Sequence, residues 1–150
     1  MEAIVIRPAG VDDIPAMVRL LAQLFAIEAD FTIAPEVQAR GLATLLERAD
    51  TVVLVATASG AVVGMTTVQL TVSTARGGYS AGMEDVVVDA AHRGRGIGRL
   101  LLEAAEAWAR ERGALRVALL ADETNAPALD FYDRLGFTRT RLVWLAKTLG

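Results

Sequence analysis

The 150-residue chain contains no cysteine and only one histidine. Without cysteine, the protein has no disulfide, no thiolate nucleophile and no cysteine ligand for a metal. A single histidine cannot build a zinc site of the usual kind by itself. We therefore expect no metal centre and no enzyme-bound thioester.

The chain also lacks an excess of positive charge, because its formal net charge is -3. This balance argues against a nucleic-acid partner. No apolar run is long enough to cross a bilayer, and the opening MEAIVIRPAG lacks the features of a signal peptide. With 53 % hydrophobic and 22 % charged residues, the composition is that of a folded globular protein. We expect a single domain over residues 1–150, cytoplasmic and without a membrane partner.

Hydrophobic periodicity predicts an α/β fold with the element order β-α-α-β-β-β-α-β-α-β. Ser59 and Gly60 form a two-residue turn signal between two β-branched runs, which predicts an antiparallel hairpin. The predicted helices are 11–29, 35–48, 97–112 and 126–135, and the predicted strands include 3–8, 81–88, 115–121 and a closing strand at 137–149. The closing strand, FTRTRLVWLAKTL, is apolar and terminal, so pairing of its edge to give a homodimer is one expectation.

A turn rich in glycine and arginine, HRGRGIG at residues 92–98, joins the strand 81–88 to the helix that follows. A dinucleotide fingerprint is excluded because Arg99 stands where its third glycine belongs, and a Walker loop is excluded because its lysine is missing. Glycines expose backbone N–H groups, and a helix N-terminus and arginines both attract anions. The turn therefore favours a bound pyrophosphate, with a plain glycine turn carrying solvated arginines as the alternative.

This turn and the later segment NAPALDFYDRLGF together resemble the GNAT family of N-acetyltransferases, most strongly over residues 83–137. The resemblance implies a mixed, V-split sheet flanked by helices and an acetyl-CoA cosubstrate. It implies direct transfer of acetyl, in a ternary complex, to a primary amine of a small-molecule or peptide acceptor. The residues it implies for cosubstrate binding are Val86, Val87, Val88, Arg93, Gly94, Arg95, Gly96, Ile97, Gly98, Arg99 and Asn125.

The resemblance further implies that the strand before the turn carries a bulge and separates from the strand 115–121. It makes Tyr132 the general acid that protonates the leaving thiolate. The alternative role for Tyr132 is a core aromatic beside Phe131, and for Asn125 it is a helix N-cap.

A base is also needed, because an acceptor amine arrives protonated. Glu84 is the first candidate for base or amine-binding residue, because strand alternation gives it the same face as Val86 and Val88 and burial of a carboxylate there is costly. Asp85 is the runner-up. A structural salt bridge from Glu84 to Arg76 or Arg116 is the alternative.

The resemblance implies that the acceptor is recognised by two segments of the chain, FAIEADFTIAPE and TARGGYSAG. Their candidate residues for binding a small cationic amine are Glu28, Asp30, Phe31 and Tyr79, together with Asp85. Glu28 and Asp30 could equally be solvated charges at a helix end. Two other functions remain open: a non-catalytic acyl-CoA sensor on the same fold, and a different α/β domain that binds an unrelated phosphate ligand.

Overall fold

The computed structural model describes residues 2–28 and 30–150. The chain forms two compact units, Met1–Leu120 and Ala121–Gly150. The first unit contains the strands β1 (Ile4–Pro8), β2 (Thr51–Ala58), β3 (Ala61–Ser73), β4 (Gly78–Val88) and β5 (Arg116–Leu119). It also contains the helices α1 (Ile14–Ile27), α2 (Pro35–Glu47) and α3 (Ile97–Glu111), whereas α4 (Ala126–Arg134) belongs to the second unit.

The five strands form one mixed sheet in the order β1-β2-β3-β4-β5. The first four strands are antiparallel, and β5 pairs parallel to β4 after the crossover through α3. The parallel register begins at Ser80↔Arg116 and ends at Met83↔Leu119, although β4 continues to Val88. The carboxyl end of β4 therefore has no β5 partner, and the sheet splits there as the predicted V-shaped sheet requires.

Helices α1 and α2 cover one face of the sheet, and α3 covers the other. The core on the α1 side contains Met17, Leu20, Leu21, Leu42, Val53, Val55, Met65 and Val87. On the α3 side, a Cβ at Gly64 would lie 3.1 Å from Cδ1 of Leu101 and 3.3 Å from Cγ2 of Ile97. The glycine thus lets the first turns of α3 lie close against the sheet, which sets the position of the turn before that helix.

A β-bulge interrupts β4 at Asp85. Thr67 pairs with Glu84 but Met65 pairs with Val87, so β4 has one more residue than β3 across this interval. Asp85 adopts a φ of 55°, a left-handed conformation that aspartate tolerates better than most residues. The bulge predicted from the family resemblance is therefore present.

Two buried hydroxyl groups stabilise the bulge. Oγ1 of Thr66 donates to the Glu84 carbonyl at 3.0 Å, and Oγ1 of Thr67 donates to the same carbonyl at 3.3 Å. Both threonines are almost fully buried. The Glu84 carbonyl at the bulge consequently has two side-chain donors.

Most of the predicted elements are confirmed with small shifts of boundary. Ser59 and Gly60 both have positive φ, 50° and 81°, as the predicted hairpin turn requires. Helix α1 ends at Ile27, and the predicted end near Ala29 lies outside the described residues. In the part of the chain that the structure describes, no helix combines the length and apolar character needed to cross a bilayer.

In the second unit, Oδ1 of Asn125 accepts a hydrogen bond from Ala128 N at 3.2 Å and caps α4. Gly136 follows the helix with a φ of 92°, which confirms the predicted left-handed stop. The prediction of a closing strand at 137–149 is wrong, because these residues adopt no regular element and are largely exposed. Alternation shows that a segment could bury one face, but a strand also needs a hydrogen-bonding neighbour, and none pairs with this segment in the described chain. The expected dimer contact through that strand edge loses its structural basis.

Candidate active site

The turn between β4 and α3 exposes backbone N–H groups at a helix N-terminus. Gly94 and Gly96 have φ of 77° and 79°, and Gly96 is the N-cap residue of α3. No side chain caps this helix start, and the first bond back to the cap runs from Leu100 N to the Gly96 carbonyl at 3.1 Å. The N–H groups of residues 97–99 are thus available to an anion, and the helix dipole favours negative charge there.

The start of this turn is anchored through Asp89. Nε2 of Gln23, on α1, donates to Oδ1 of Asp89 at 2.8 Å, and Oε1 of Gln23 accepts from Ala90 N at 3.0 Å. Nδ1 of His92 lies 2.9 Å from Oδ2 of Asp89. The hydrogen bonds from Gln23 and His92 hold the pKa of Asp89 below its usual value. A hydrogen-bond network through the Asp89 carboxylate therefore joins helix α1 to the start of the turn.

Arg93 and Arg95 lie in the turn and Arg99 directly follows it, and the three arginines have different partners. Nε of Arg93 donates to the Val88 carbonyl at 3.0 Å, which ties the turn to the end of β4. Arg95 and Arg99 form ion pairs with Glu2 at 3.5 Å and Glu103 at 2.9 Å. Exposed ion pairs contribute little free energy, so both side chains can exchange these partners for a phosphate group.

A cavity of about 460 Å³ opens on the α1 side of the sheet. Its apolar lining consists of Leu21, Phe25, Phe31, Leu42 and Leu45. The rings of Phe25 and Phe31 lie 5.1 Å apart between centroids. Gln38 holds the segment around Phe31 against α2, because its Oε1 accepts from Ala34 N at 2.7 Å and its Nε2 donates to the Thr32 carbonyl at 3.3 Å. The cavity therefore has an aromatic wall that is fixed by local hydrogen bonds.

Among the described residues, the polar lining of the same cavity carries negative but no positive side chains. It consists of Asp30, Thr32, Gln38, Gln69 and Asp85. Burial raises the pKa of Asp85 to about 6; the charges of Glu84 and Glu28 add to this rise, and a hydrogen bond from Thr67 opposes it. A carboxylate with such a pKa can exchange a proton near neutral pH, which is a property of catalytic bases.

The structure reverses the environments expected for Glu84 and Asp85. The prediction that Glu84 shares a face with Val88 is wrong, because Glu84 pairs with Thr67 on the α1 side whereas Val88 pairs with Gly64 on the α3 side. Strand alternation holds only for a regular strand, and the bulge shifts it by one residue. Glu84 is exposed, whereas Asp85 is half-buried and lines the cavity.

The alternative salt bridge of Glu84 is not formed within the described chain, where neither Arg76 nor Arg116 pairs with it. Nε of Arg116 instead donates to Oγ of Ser80 at 3.3 Å. In the sequence, Glu84 is the first candidate for the base because burying a carboxylate costs free energy. In the structure this argument applies to Asp85, because Asp85 is the half-buried carboxylate.

The acceptor candidates are only partly brought together. Asp30 and Phe31 line the cavity with Asp85, and Glu28 is near enough to raise the pKa of Asp85. Tyr79 does not line it: this exposed side chain lies six residues before Asp85 on β4, or about 20 Å along a strand. The prediction that Tyr79 lines the acceptor mouth with these residues is not supported by its position.

Val86, Val87 and Val88 lie at the end of β4 that has no β5 partner. Val87 is buried in the core on the α1 side, and the Val88 carbonyl already accepts from Arg93. In the second unit, the ring of Tyr132 contacts Phe131 and Phe137 at centroid distances of 5.3 and 5.8 Å. The helix cap given as the alternative role of Asn125 is thus present, whereas Tyr132 contacts Phe131 but is only half-buried.

Sequence reasoning missed Gln23, Gln38 and Gln69. Gln23 bonds to a residue far away in sequence, and Gln38 and Gln69 line a cavity that is formed only in the folded chain, so no sequence motif marks them. The only available signal was the polar character of Gln23 and Gln38 within otherwise amphipathic helices.

A mixed sheet that splits beside an uncapped, glycine-rich helix start is the architecture of the N-acetyltransferase fold class. The model of the acetyltransferase (GNAT) family matches residues 34–137. The match covers more than two thirds of the sequence, and the chain therefore belongs to the acetyltransferase (GNAT) family.

Individual relatives agree with this assignment. The streptothricin acetyltransferase of Streptomyces lavendulae is 49 % identical over 55 residues, which are 37 % of this chain and 29 % of that enzyme. A transcriptional regulator from Bacillus halodurans C-125 superposes with a TM-score of 0.88 at 29 % identity, covering 97 % of this chain and 100 % of its own. An aminoglycoside N-acetyltransferase crystallised with CoA has a TM-score of 0.85 at 18 % identity, with 99 % and 96 % covered, and so shows the shared fold.

Proposed function

We propose that the protein is an acetyl-CoA-dependent N-acetyltransferase that acts on a primary amine of a small cationic acceptor. The observation that carries this proposal is the unpaired end of β4 beside the uncapped start of α3. Backbone groups of Val86 and Val87 would pair with the pantetheine arm, and the N–H groups of residues 97–99 would bind the pyrophosphate. The CoA complex of the aminoglycoside acetyltransferase with the same fold supports this choice of cosubstrate.

The cavity supports a cationic acceptor. Asp30 and Asp85 supply negative charge, Phe25 and Phe31 supply aromatic faces, and neither lysine nor arginine is among the described residues that line the cavity. Ammonium groups are stabilised by both carboxylates and aromatic rings. A phosphorylated acceptor would find no cationic partner in this lining and is not favoured.

We propose Asp85 as the base, acting directly or through water. It accepts a proton from the acceptor's ammonium group, and the free amine then attacks the thioester carbonyl. The new C–N bond would form while the C–S bond breaks. Tyr132, in the role that the family resemblance implies, would donate its phenolic proton to the leaving thiolate, and the second proton of the amine nitrogen, which is lost as the amide forms, would restore the phenol. Glu84 then raises the proton affinity of Asp85 through its charge, although it remains the rival candidate for base. The role of Tyr132 rests on the family resemblance.

The activity can be tested by measuring CoA thiol release with acetyl-CoA and a panel of amines. The panel would contain mono-, di- and polyamines, amino sugars and a lysine-containing peptide. We expect turnover with small cationic amines and little with the peptide. Absence of thiol release with every amine would contradict the proposal.

A non-catalytic acyl-CoA sensor is the second candidate, and one observation favours it. The structure similar to this chain from Bacillus halodurans is named as a transcriptional regulator. A sensor would bind CoA but release no thiol with any amine. The presence of Asp85 in a cavity next to the split sheet favours the enzyme.

A further inference from the structure

Gly41 lies in the interior of α2 and lines the acceptor cavity. Glycine is, after proline, the least favourable residue inside a helix. The backbone does not require it, because Gly41 is absent from the glycines with positive φ. Packing does not require it either, since a Cβ built there would meet no atom within 4 Å. Neither local geometry nor a close neighbour accounts for this glycine.

Its helical position directs any side chain toward the cavity. Gln38 lies three residues before Gly41 and Leu45 lies four residues after it, and both line the cavity. Position 41 thus has cavity-lining residues one turn before it and one turn after it, so a side chain there would project from the same face, whereas Thr44 has no cavity-lining residue one turn after it. Gly41 is exposed, and a Cβ there would meet no atom within 4 Å, so a side chain would begin in open space beside the cavity lining.

We propose that Gly41 is a specificity-determining residue that leaves room for the body of a bulky acceptor. This inference rests on the proposed function, because it assumes that the cavity receives the amine. The cavity volume of about 460 Å³ lies in the range that holds ring-containing or drug-sized ligands. The acceptor class is therefore a small-molecule amine carried on a ring-sized body, which needs the open space at position 41 more than a short alkylamine does.

The variant G41L tests this inference, with T44L as the matched control. Thr44 is an exposed residue of the same helix that does not line the cavity. Both variants are assayed for thiol release with the largest and the smallest amines that the wild type acetylates. For G41L we expect kcat/KM to fall about tenfold or more with the largest amine and to change less than twofold with the smallest. T44L should change neither value, and CoA affinity should be the same in all three proteins.

The variant G41A keeps the inference testable if G41L folds poorly. Replacing a helix-interior glycine by alanine should raise the unfolding midpoint by about 2–4 °C, while kcat/KM for the largest amine falls to an intermediate value. Equal losses with both amines, or no loss with the largest, would overturn the role of Gly41 and leave the acetyltransferase proposal intact. A wild type that releases no thiol with any amine would instead overturn both.

Discussion

The glycine-rich turn and the acceptor cavity differ in how they are assembled and in the sign of their charge. The turn and the residues directly beside it form one continuous stretch, 89–99, that holds a helix N-terminus and three arginines. The cavity draws its lining from α1, the segment around Phe31, α2, β3 and β4, and its charged residues are acidic. Opposite charges steer different ligands, so the proposed anionic cosubstrate and the proposed cationic acceptor would be directed to separate places. A substitution in one region should therefore impair the function of that region and leave the function of the other unchanged.

The largest expected effect is on the catalytic rate, through a substitution in the cavity that leaves CoA binding unchanged. We expect D85N to lower kcat by about 10²–10⁴-fold while CoA affinity stays unchanged, because the amide cannot accept the proton. Asparagine also tolerates the left-handed conformation of Asp85, so the bulge should survive. Thiol release and calorimetric CoA binding are the two measurements. E84Q is the control, and an equal or larger loss there would make Glu84 the base.

Although we expect D85N to lower activity, we expect the same substitution to raise the free energy of unfolding near neutral pH. The pKa of Asp85 is raised to about 6, so the folded protein binds more protons than the unfolded chain between about pH 4 and 6. The free energy of unfolding therefore falls as pH rises through this window, by on the order of 2 kcal/mol for this group. D85N should remove that fall and be the more stable protein at pH 7.5. Denaturant unfolding at pH 4.5 and 7.5 gives the free energy of unfolding of both proteins. An equal change in this free energy between the two pH values in both proteins would refute the prediction.

A substitution in the turn should affect only the cosubstrate. We expect G96A to weaken CoA binding about tenfold, because alanine at positive φ costs about 1–2 kcal/mol and shifts the N–H groups. G113A is the matched control, since Gly113 has a φ of 77° at the other end of α3. Both variants should lose similar stability in thermal unfolding. Similar CoA affinity in the two variants would mean that the turn does not hold the cosubstrate.

The smallest effects distinguish two glutamines. Q23A removes two hydrogen bonds that anchor the turn, so we expect CoA affinity to fall about 3–10-fold with little change in acceptor KM. Q38A loosens the segment around Phe31, so we expect acceptor KM to rise by a similar factor with little change in CoA affinity. Calorimetry and steady-state kinetics give both values. A crossed result, with Q23A acting on the acceptor alone, would break the division between the regions.

The same contrast explains what the sequence could predict. The turn, the hairpin at Ser59-Gly60 and the cap at Asn125 depend on residues close in sequence, and their geometry was predictable from local rules. The acidic lining of the cavity could not be assigned correctly, because strand alternation does not hold at the bulge, where Asp85 adopts a positive φ and lines the cavity while Glu84 is exposed. The closing strand failed for a related reason, since its apolar pattern carries no information about a pairing partner.

Thermal unfolding with acetyl-CoA, CoA, ATP and NAD tests the central claim most directly. A ligand at about 100 times its Kd stabilises a folded protein by roughly 2.7 kcal/mol, which is about 5–10 °C for a chain of this size. We predict such a shift with acetyl-CoA and CoA and none with NAD. No shift with acetyl-CoA at saturating concentration would contradict the account, because the glycine-rich turn would then hold a different ligand.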